Sequence, residues 1–155
     1  MQSPSDNVRL VNSFISDRKL RGLSPNTIKF YKGYLARFMN TISTPLLEQE
    51  KQGIIDFITS RTCNAGGKHA YFRVLRAFYK WCLSEELLNK SPLANLKAPK
   101  VPKPLRQSLS LNNLSKLLNQ SSNLRDKLIV SLLADTGLRL SELANIEKSD
   151  IDFHK

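Results

Sequence analysis

A mainly α-helical fold is predicted, with a basic four-helix unit, a proline-rich connector and a helical opening to a second, mixed region. Three observations predict it. Apolar residues recur every three to four positions through most of the first 90 residues, the period of an amphipathic helix. Helix start and stop signals punctuate that pattern, Gly22 followed by Ser24-Pro25 foremost. Four of the prolines, Pro92, Pro99, Pro102 and Pro104, then crowd into one short stretch.

The first helix runs from Asp6 to Leu20, with Val8, Leu10, Val11, Phe14 and Ile15 at helical spacing. Gly22 offers a left-handed stop. Ser24 caps the next helix, and Pro25 at its first position has no N–H to leave unpaired. That helix should bury Ile28, Tyr31, Leu35, Phe38, Met39 and Ile42, with Lys29, Lys32 and Arg37 turned away. Pro45 sits in the break. A third helix is expected over Glu48 to Arg61, with Ile54, Ile55, Phe57 and Ile58 inward. Asn64-Ala65-Gly66-Gly67 reads as a loop. The fourth helix, Lys68 to Leu87, gathers Tyr71, Val74, Leu75, Phe78, Trp81 and Cys82 on one side at roughly 100° per residue. His69, Arg73, Arg76 and Lys80 fall on the other. Between Asp56 and Glu85 the chain has five Lys or Arg and no acid. The aromatic residues could form a base-stacking platform, but their spacing reads as core, Phe72 being the exception. The basic stripe could be an ordinary solvated face, yet the absence of interleaved acids favours contact with a polyanion.

From Asn89 to Arg106 the prolines alternate with Lys90, Lys97, Lys100, Lys103 and Arg106, again without an acid. Proline at this density forces extended backbone, so the segment reads as a semi-stiff, positively charged linker. Beyond it, Ser110 caps a helix with Leu114, Leu117 and Leu118 inward. Another runs from Leu124 to Asp135 with Leu128, Ile129, Leu132 and Leu133 inward, ending at Thr136-Gly137. A short helix begins at Ser141-Glu142-Leu143, and Ser149 to Phe153 reads as a turn into a first strand. An unpartnered strand and a region of this size are poor candidates for independent stability. Residues 108–155 are therefore expected to open a larger domain.

Composition narrows the function. The 155 residues suit one domain, or one small domain with part of another. Apolar residues at 41% and charged residues at 24% lie in the ordinary globular range and exclude wholesale disorder or a collagen-like chain. Lys and Arg total 24 against 13 Asp and Glu, a net charge of +11 that favours a polyanionic partner. Nucleic acid is the first candidate and an anionic membrane surface the second. The longest apolar stretch, Leu128 to Ala134, is interrupted by Ser131 and too short to span a bilayer. The N-terminus has no secretory pattern. Cys63 and Cys82 provide neither a metal-ligand spacing nor a disulfide framework, so a reducing, cytoplasmic setting fits and a structural zinc site is not expected. His69 reads as a helix-surface residue, not a ligand.

The order of these features resembles the tyrosine recombinase (phage integrase, Xer-like) family. The string Thr136-Gly137-Leu138-Arg139-Leu140-Ser141-Glu142-Leu143 is similar to that family's first catalytic box, and Asp150-Ile151-Asp152 follows it. Weaker matches are Leu23-Ser24-Pro25-Asn26-Thr27-Ile28 with Tyr31, Leu75 to Trp81, and Asn89-Lys90-Ser91-Pro92-Leu93. The resemblance implies a SAM-like core-binding domain over 1–90, a basic linker over 91–107, and the helical start of an α+β catalytic domain over 108–155. It implies duplex DNA as partner, with the linker along the backbone and the two domains clamping the duplex. Intact members also assemble with other recombinase protomers. Neither a metal nor a nucleotide cofactor is implied.

In the family a tyrosine attacks a DNA phosphodiester and forms a 3′-phosphotyrosyl bond. Arg139 matches the arginine that contacts the scissile phosphate, a role suited to a permanently charged guanidinium with paired donors. Glu142 matches the acidic position and is read as support for Arg139. By the same resemblance, Lys29, Lys32 and Arg37 of the second helix join Lys68, His69, Arg73, Arg76 and Lys80 of the fourth, with Lys100 and Lys103 of the linker, as DNA-binding residues. The family also requires a lysine on a hairpin, a His-x-x-Arg pair, a further His or Trp, and the nucleophilic tyrosine. None can be placed: His154 is followed only by Lys155, and Tyr31, Tyr34, Tyr71 and Tyr79 all precede the linker. The expectation is DNA binding without strand cleavage by this chain alone. Two other readings stay open, a non-enzymatic regulator competing for recombination sites and an inert truncated product.

Overall fold

The computed structural model describes residues 4–103 and 108–152. The chain forms two compact units, Met1–Lys103 and Pro104–Lys155. Among the described residues there are seven α-helices and no strand.

The first unit contains α1 (Pro4–Leu20), α2 (Pro25–Met39), a 3-10 turn at Leu46–Glu48, α3 (Lys51–Thr59) and α4 (Ala65–Ser84). The α1–α2 corner forms as its residues dictate. Gly22 is left-handed at φ 73°, and Leu23 N–H reaches back to the Arg18 carbonyl at 3.2 Å. Ser24 Oγ then accepts from Thr27 N–H at 3.2 Å. The core is aromatic. Phe14 of α1 meets Tyr31, Phe78 and Trp81 edge-on at 5.4, 5.5 and 5.6 Å. A second run links α2, α3 and α4 through Phe38–Phe57 at 4.7 Å, Phe57–Tyr71 at 5.2 Å and Tyr34–Tyr71 at 4.5 Å. The 3-10 turn is held from both sides: Leu46 N–H donates to Asn7 Oδ1 at 3.0 Å, and the buried Tyr79 hydroxyl donates to the Leu46 carbonyl at 2.9 Å.

Several expectations are corrected here. Val8 is not core but 51% exposed, one position outside the strip of Val11, Phe14 and Ile15. Ile42 lies beyond the end of α2, though it still packs against the core. The third helix is shorter than Glu48–Arg61, because Glu48 belongs to the 3-10 turn and Ser60 caps the C-terminus. Ile55 is only half-buried. Asn64 to Gly67 is not a loop. The Asn64 side chain accepts from Gly67 N–H at 2.9 Å, so α4 begins at Ala65. At its other end α4 stops at Ser84, short of Leu87. Glu86 turns left-handed at φ 57°, with Glu86 N–H on Leu83 O and Leu87 N–H on Cys82 O. Phe72 is buried with the other α4 aromatics, so these rings are core and offer no stacking platform. The segment after α4 is less linker-like than its prolines suggest. Leu93 is 4% exposed within the core cluster, Leu96 packs beside it, and turns close between Ser91 and Ala94 and between Leu93 and Leu96.

The second unit contains α5 (Leu111–Gln120), α6 (Leu124–Thr136), α7 (Leu140–Ala144) and a 3-10 turn at Lys148–Asp150. Ser110 and Asn123 cap α5 and α6, accepting from Asn113 and Asp126 N–H. Gly137 ends α6 in the left-handed region at φ 66°. No described residue of α5, α6 or α7 is buried. Leu117 and Leu128, expected inward, are exposed, because among the described residues no further layer covers these helices. The expected strand at 149–153 is absent among the described residues: Ser149 and Asp150 belong to the 3-10 turn, and Ile151 and Asp152 carry no regular structure. Pro104, Arg106, Phe153, His154 and Lys155 lie outside the described residues.

Candidate nucleic-acid interface

Charge is distributed very unevenly. Residues 1–103 hold 17 Lys and Arg against 7 Asp and Glu, a net +10, whereas residues 104–155 hold 7 against 6. Within the first unit, α2 and α4 contain no acid at all. These two helices pack on one another through Tyr34 and Tyr71. Their outward sides therefore form an acid-free surface, while the unit's acids sit on α1, at residues 48–56 and in the Glu85-Glu86 turn.

Arg73, Arg76 and Lys80 are exposed along one side of α4, opposite the buried Val74, Leu75, Phe78 and Cys82. This is the direct outcome of the helical repeat. His69, a turn earlier, is half-buried. Among the described residues none of Lys29, Lys32, Arg73, Arg76 and Lys80 is in an ion pair. Lys68 has a different job in this structure: its Nζ donates to the Thr59 carbonyl at 2.9 Å and satisfies the end of α3. Arg37 is exposed and lies 5.7 Å from the centre of the Tyr34 ring. Lys100 and Lys103 are exposed on chain without regular structure.

The predicted residues do not form a single stripe. Lys29 and Lys32 line a groove between the end of α1 and α2, with Lys19, Gly33 and Ala36. Arg73 lines a separate groove between α2 and α4, with Asn26, Thr27 and Phe30. Arg76 and Lys80 face a third depression with Lys90 and Ser91, where the chain folds back beside α4. Lys19, Asn26, Phe30 and Lys90 were thus missed as lining residues. Lys19 reads in sequence as a helix-end cation and Lys90 as part of a linker. Asn26 and Phe30 carry no charge to betray them.

Arg139 occupies the turn between the Gly137 stop and α7. Its backbone N–H donates to Glu142 Oε2 at 2.8 Å, and its Nη1 donates to Glu142 Oε1 at 2.7 Å. The backbone bond first, and the guanidinium second, hold the Glu142 carboxyl below its ordinary pKa. The Arg139 side chain is 82% exposed, so much of its donor fork faces solvent. In the first unit, burial drives the Tyr79 hydroxyl far above the usual tyrosine range, with Cys82 adding to it. Burial also pushes the Cys82 thiol up to about 12. Among the described residues no three His, Cys, Asp or Glu side chains gather as a metal site, and no helix is long and apolar enough to cross a membrane.

Comparison with known proteins identifies the family. Residues 10–89 match the family described as phage integrase, N-terminal SAM-like domain, and residues 107–155 match the phage integrase family. The chain is 32% identical to tyrosine recombinase XerA of Pyrococcus horikoshii, covering 96% of this chain and 50% of that protein. It is 31% identical to tyrosine recombinase XerC of Staphylococcus aureus, covering 92% and 52%. The chain thus spans about half the length of the curated relatives it matches. Among solved structures, the integrase from mycobacterium phage Brujita superimposes with a TM-score of 0.61 at 21% identity, over 93% of this chain and 50% of that one, which shows a shared fold. A helical unit matched across residues 10–89, followed by the Thr136–Leu143 string inside the second match, places the chain in the tyrosine recombinase (phage integrase) family.

Proposed function

We propose that these 155 residues bind duplex DNA in site-specific recombination or integration, in the cytoplasm, where DNA is accessible. Residues 1–90 serve as the core-binding domain, 91–107 as a basic connector anchored at Leu93, and 108–155 as the opening of the catalytic domain. The observation that carries this reading is the acid-free outer surface of α2 and α4. Lys29, Lys32, Arg37, His69, Arg73, Arg76 and Lys80 contact the DNA backbone there, with Lys100 and Lys103 extending the track. Lys68 contributes charge from the α3–α4 junction. Such contacts position the protein without reading sequence.

If about six phosphates are neutralised, log affinity falls with log salt at a slope near −5. Replacing Arg73, Arg76 and Lys80 together by Gln should bring that slope to about −2 to −3 and weaken binding to all duplexes alike. Fluorescence anisotropy across a salt series measures both. A slope near zero for the unaltered chain would return these residues to an ordinary solvated face.

Arg139 holds a scissile phosphate, its guanidinium stabilising negative charge as the phosphorus is attacked. Glu142 positions it through the two bonds already described. These residues do not cleave DNA on their own, because the family's remaining catalytic groups have no counterpart among them. Tyr79, with its hydroxyl buried and donating to Leu46 O, is chemically unfit as a nucleophile. Incubation with supercoiled and nicked duplexes should give no covalent adduct, and a phosphotyrosyl adduct would overturn this part of the reading.

A further inference from the structure

Phe30 is unlike the other phenylalanines of the first unit. It is 36% exposed, while Phe14, Phe38, Phe57, Phe72 and Phe78 are buried. It lines the groove between α2 and α4 beside polar and charged neighbours, Asn26, Thr27 and Arg73. Its ring is firmly held, with the Tyr34 ring 4.5 Å away and the Tyr31 ring at 6.2 Å, and Tyr34 in turn packs edge-on against Tyr71. An apolar surface fixed in this way loses little side-chain freedom on contact. One helical turn earlier, Asn26 is exposed, and among the described residues its carboxamide has no hydrogen-bond partner. Both residues lie in the first two turns of α2, and in helix-turn-helix proteins it is the N-terminal residues of the recognition helix that reach base edges in the major groove. Unpaired cations flank them, Lys29 on one side of α2 and Arg73 on the other. Charge can hold the phosphates, but it cannot tell one base pair from another.

We propose that Phe30 and Asn26 are the specificity-determining residues of this surface. Phe30 packs on the C5-methyl group of a thymine, and Asn26 makes a paired hydrogen bond to an adenine. These are the major-groove features that a phenyl ring and a carboxamide recognise. Four helical residues advance about 6 Å, and base pairs stack at about 3.4 Å, so the two contacted pairs lie about two steps apart. The proposal rests on the duplex-binding reading above.

The test starts from a pool of random duplexes enriched on the unaltered 155-residue chain. Each thymine of the selected duplex is then replaced singly by deoxyuridine, which removes only the methyl group. One such replacement should weaken binding about fourfold, the value of one buried methyl-sized group. In Phe30→Ala that loss should vanish, with the salt slope unchanged. Phe30→Tyr, which keeps the ring and so the fold, should retain the preference for thymine at the same position. Asn26→Ala should cost about tenfold in discrimination at an adenine about two pairs away. A pool without any consensus would overturn the proposal, as would a deoxyuridine effect that persists in Phe30→Ala. Uniform weakening across sequences by either Phe30 variant would also overturn it. Those failures leave salt-dependent duplex binding intact, whereas absence of binding to any duplex removes the functional reading itself.

Discussion

Glu86 carries the least comfortable backbone of the described chain, the sole non-glycine residue there with positive φ, at 57°. It stands at the C-terminus of α4 as Gly22 stands at the end of α1, and the two make the same pair of reverse hydrogen bonds. A side chain is strained there and a glycine is not, so Glu86→Gly should stabilise the protein by about 1 kcal/mol, read from the urea midpoint. Nothing in Ser84-Glu85-Glu86-Leu87 signals a helix stop, which is why helical periodicity runs on to Leu87, whereas Gly22 and Gly137 declare their turns. Glu142 provides a pH prediction. Its folded pKa is depressed, so the turn contact is fully present above the unfolded value of about 4.3 and is lost as pH falls through the lower folded value. Carboxyl NMR should place the Glu142 midpoint below the ordinary glutamate range. Arg139→Ala should retain most of the depression, since the backbone N–H is the larger cause and survives the substitution.

Among the elements, α2 is the most legible, because cap, periodicity and charge all point the same way, whereas in α4 periodicity and charge agree but neither end is signalled. Ser24-Pro25 marked one start, and the two faces of α4 separated cleanly by residue type. Misjudged ends had local causes: Asn64 caps over two glycines that look like loop, and α3 lacks a side-chain cap hydrogen bond at Glu50. The segment after α4 misled for a different reason. Proline content forecasts extended backbone but not what an extended backbone packs against, and Leu93 completes the core from there. Leu93→Ala should therefore cost about 2–4 kcal/mol in urea unfolding of the full chain. A free linker leucine would stay within about 0.5 kcal/mol.

Taken whole, the molecule joins a unit that closes its own core to one whose helices hold no buried side chain among the described residues. The order of the helices and the family string could be read from sequence. Burial in α5 and α6 could not, since periodicity gives the direction of an apolar face and not the presence of a covering layer. The separate grooves beside α2 were equally hidden, because they arise from how α1, α2 and α4 pack. Limited trypsin digestion should cut first after residues such as Lys116, Arg125 and Lys127, leaving a resistant fragment close to 1–103 by mass spectrometry. Survival of residues 108–152 with loss of the first unit would contradict this energetic ordering. The lack of acids on α2 and α4 has a kinetic corollary. On the duplex-binding reading proposed above, a cationic face with no repulsive element would adhere to any stretch of genome, so most encounters would end on an irrelevant sequence. Arrival at the proper locus would then proceed by sliding and hopping along the polymer, at a speed set by how briefly each mistaken stop lasts.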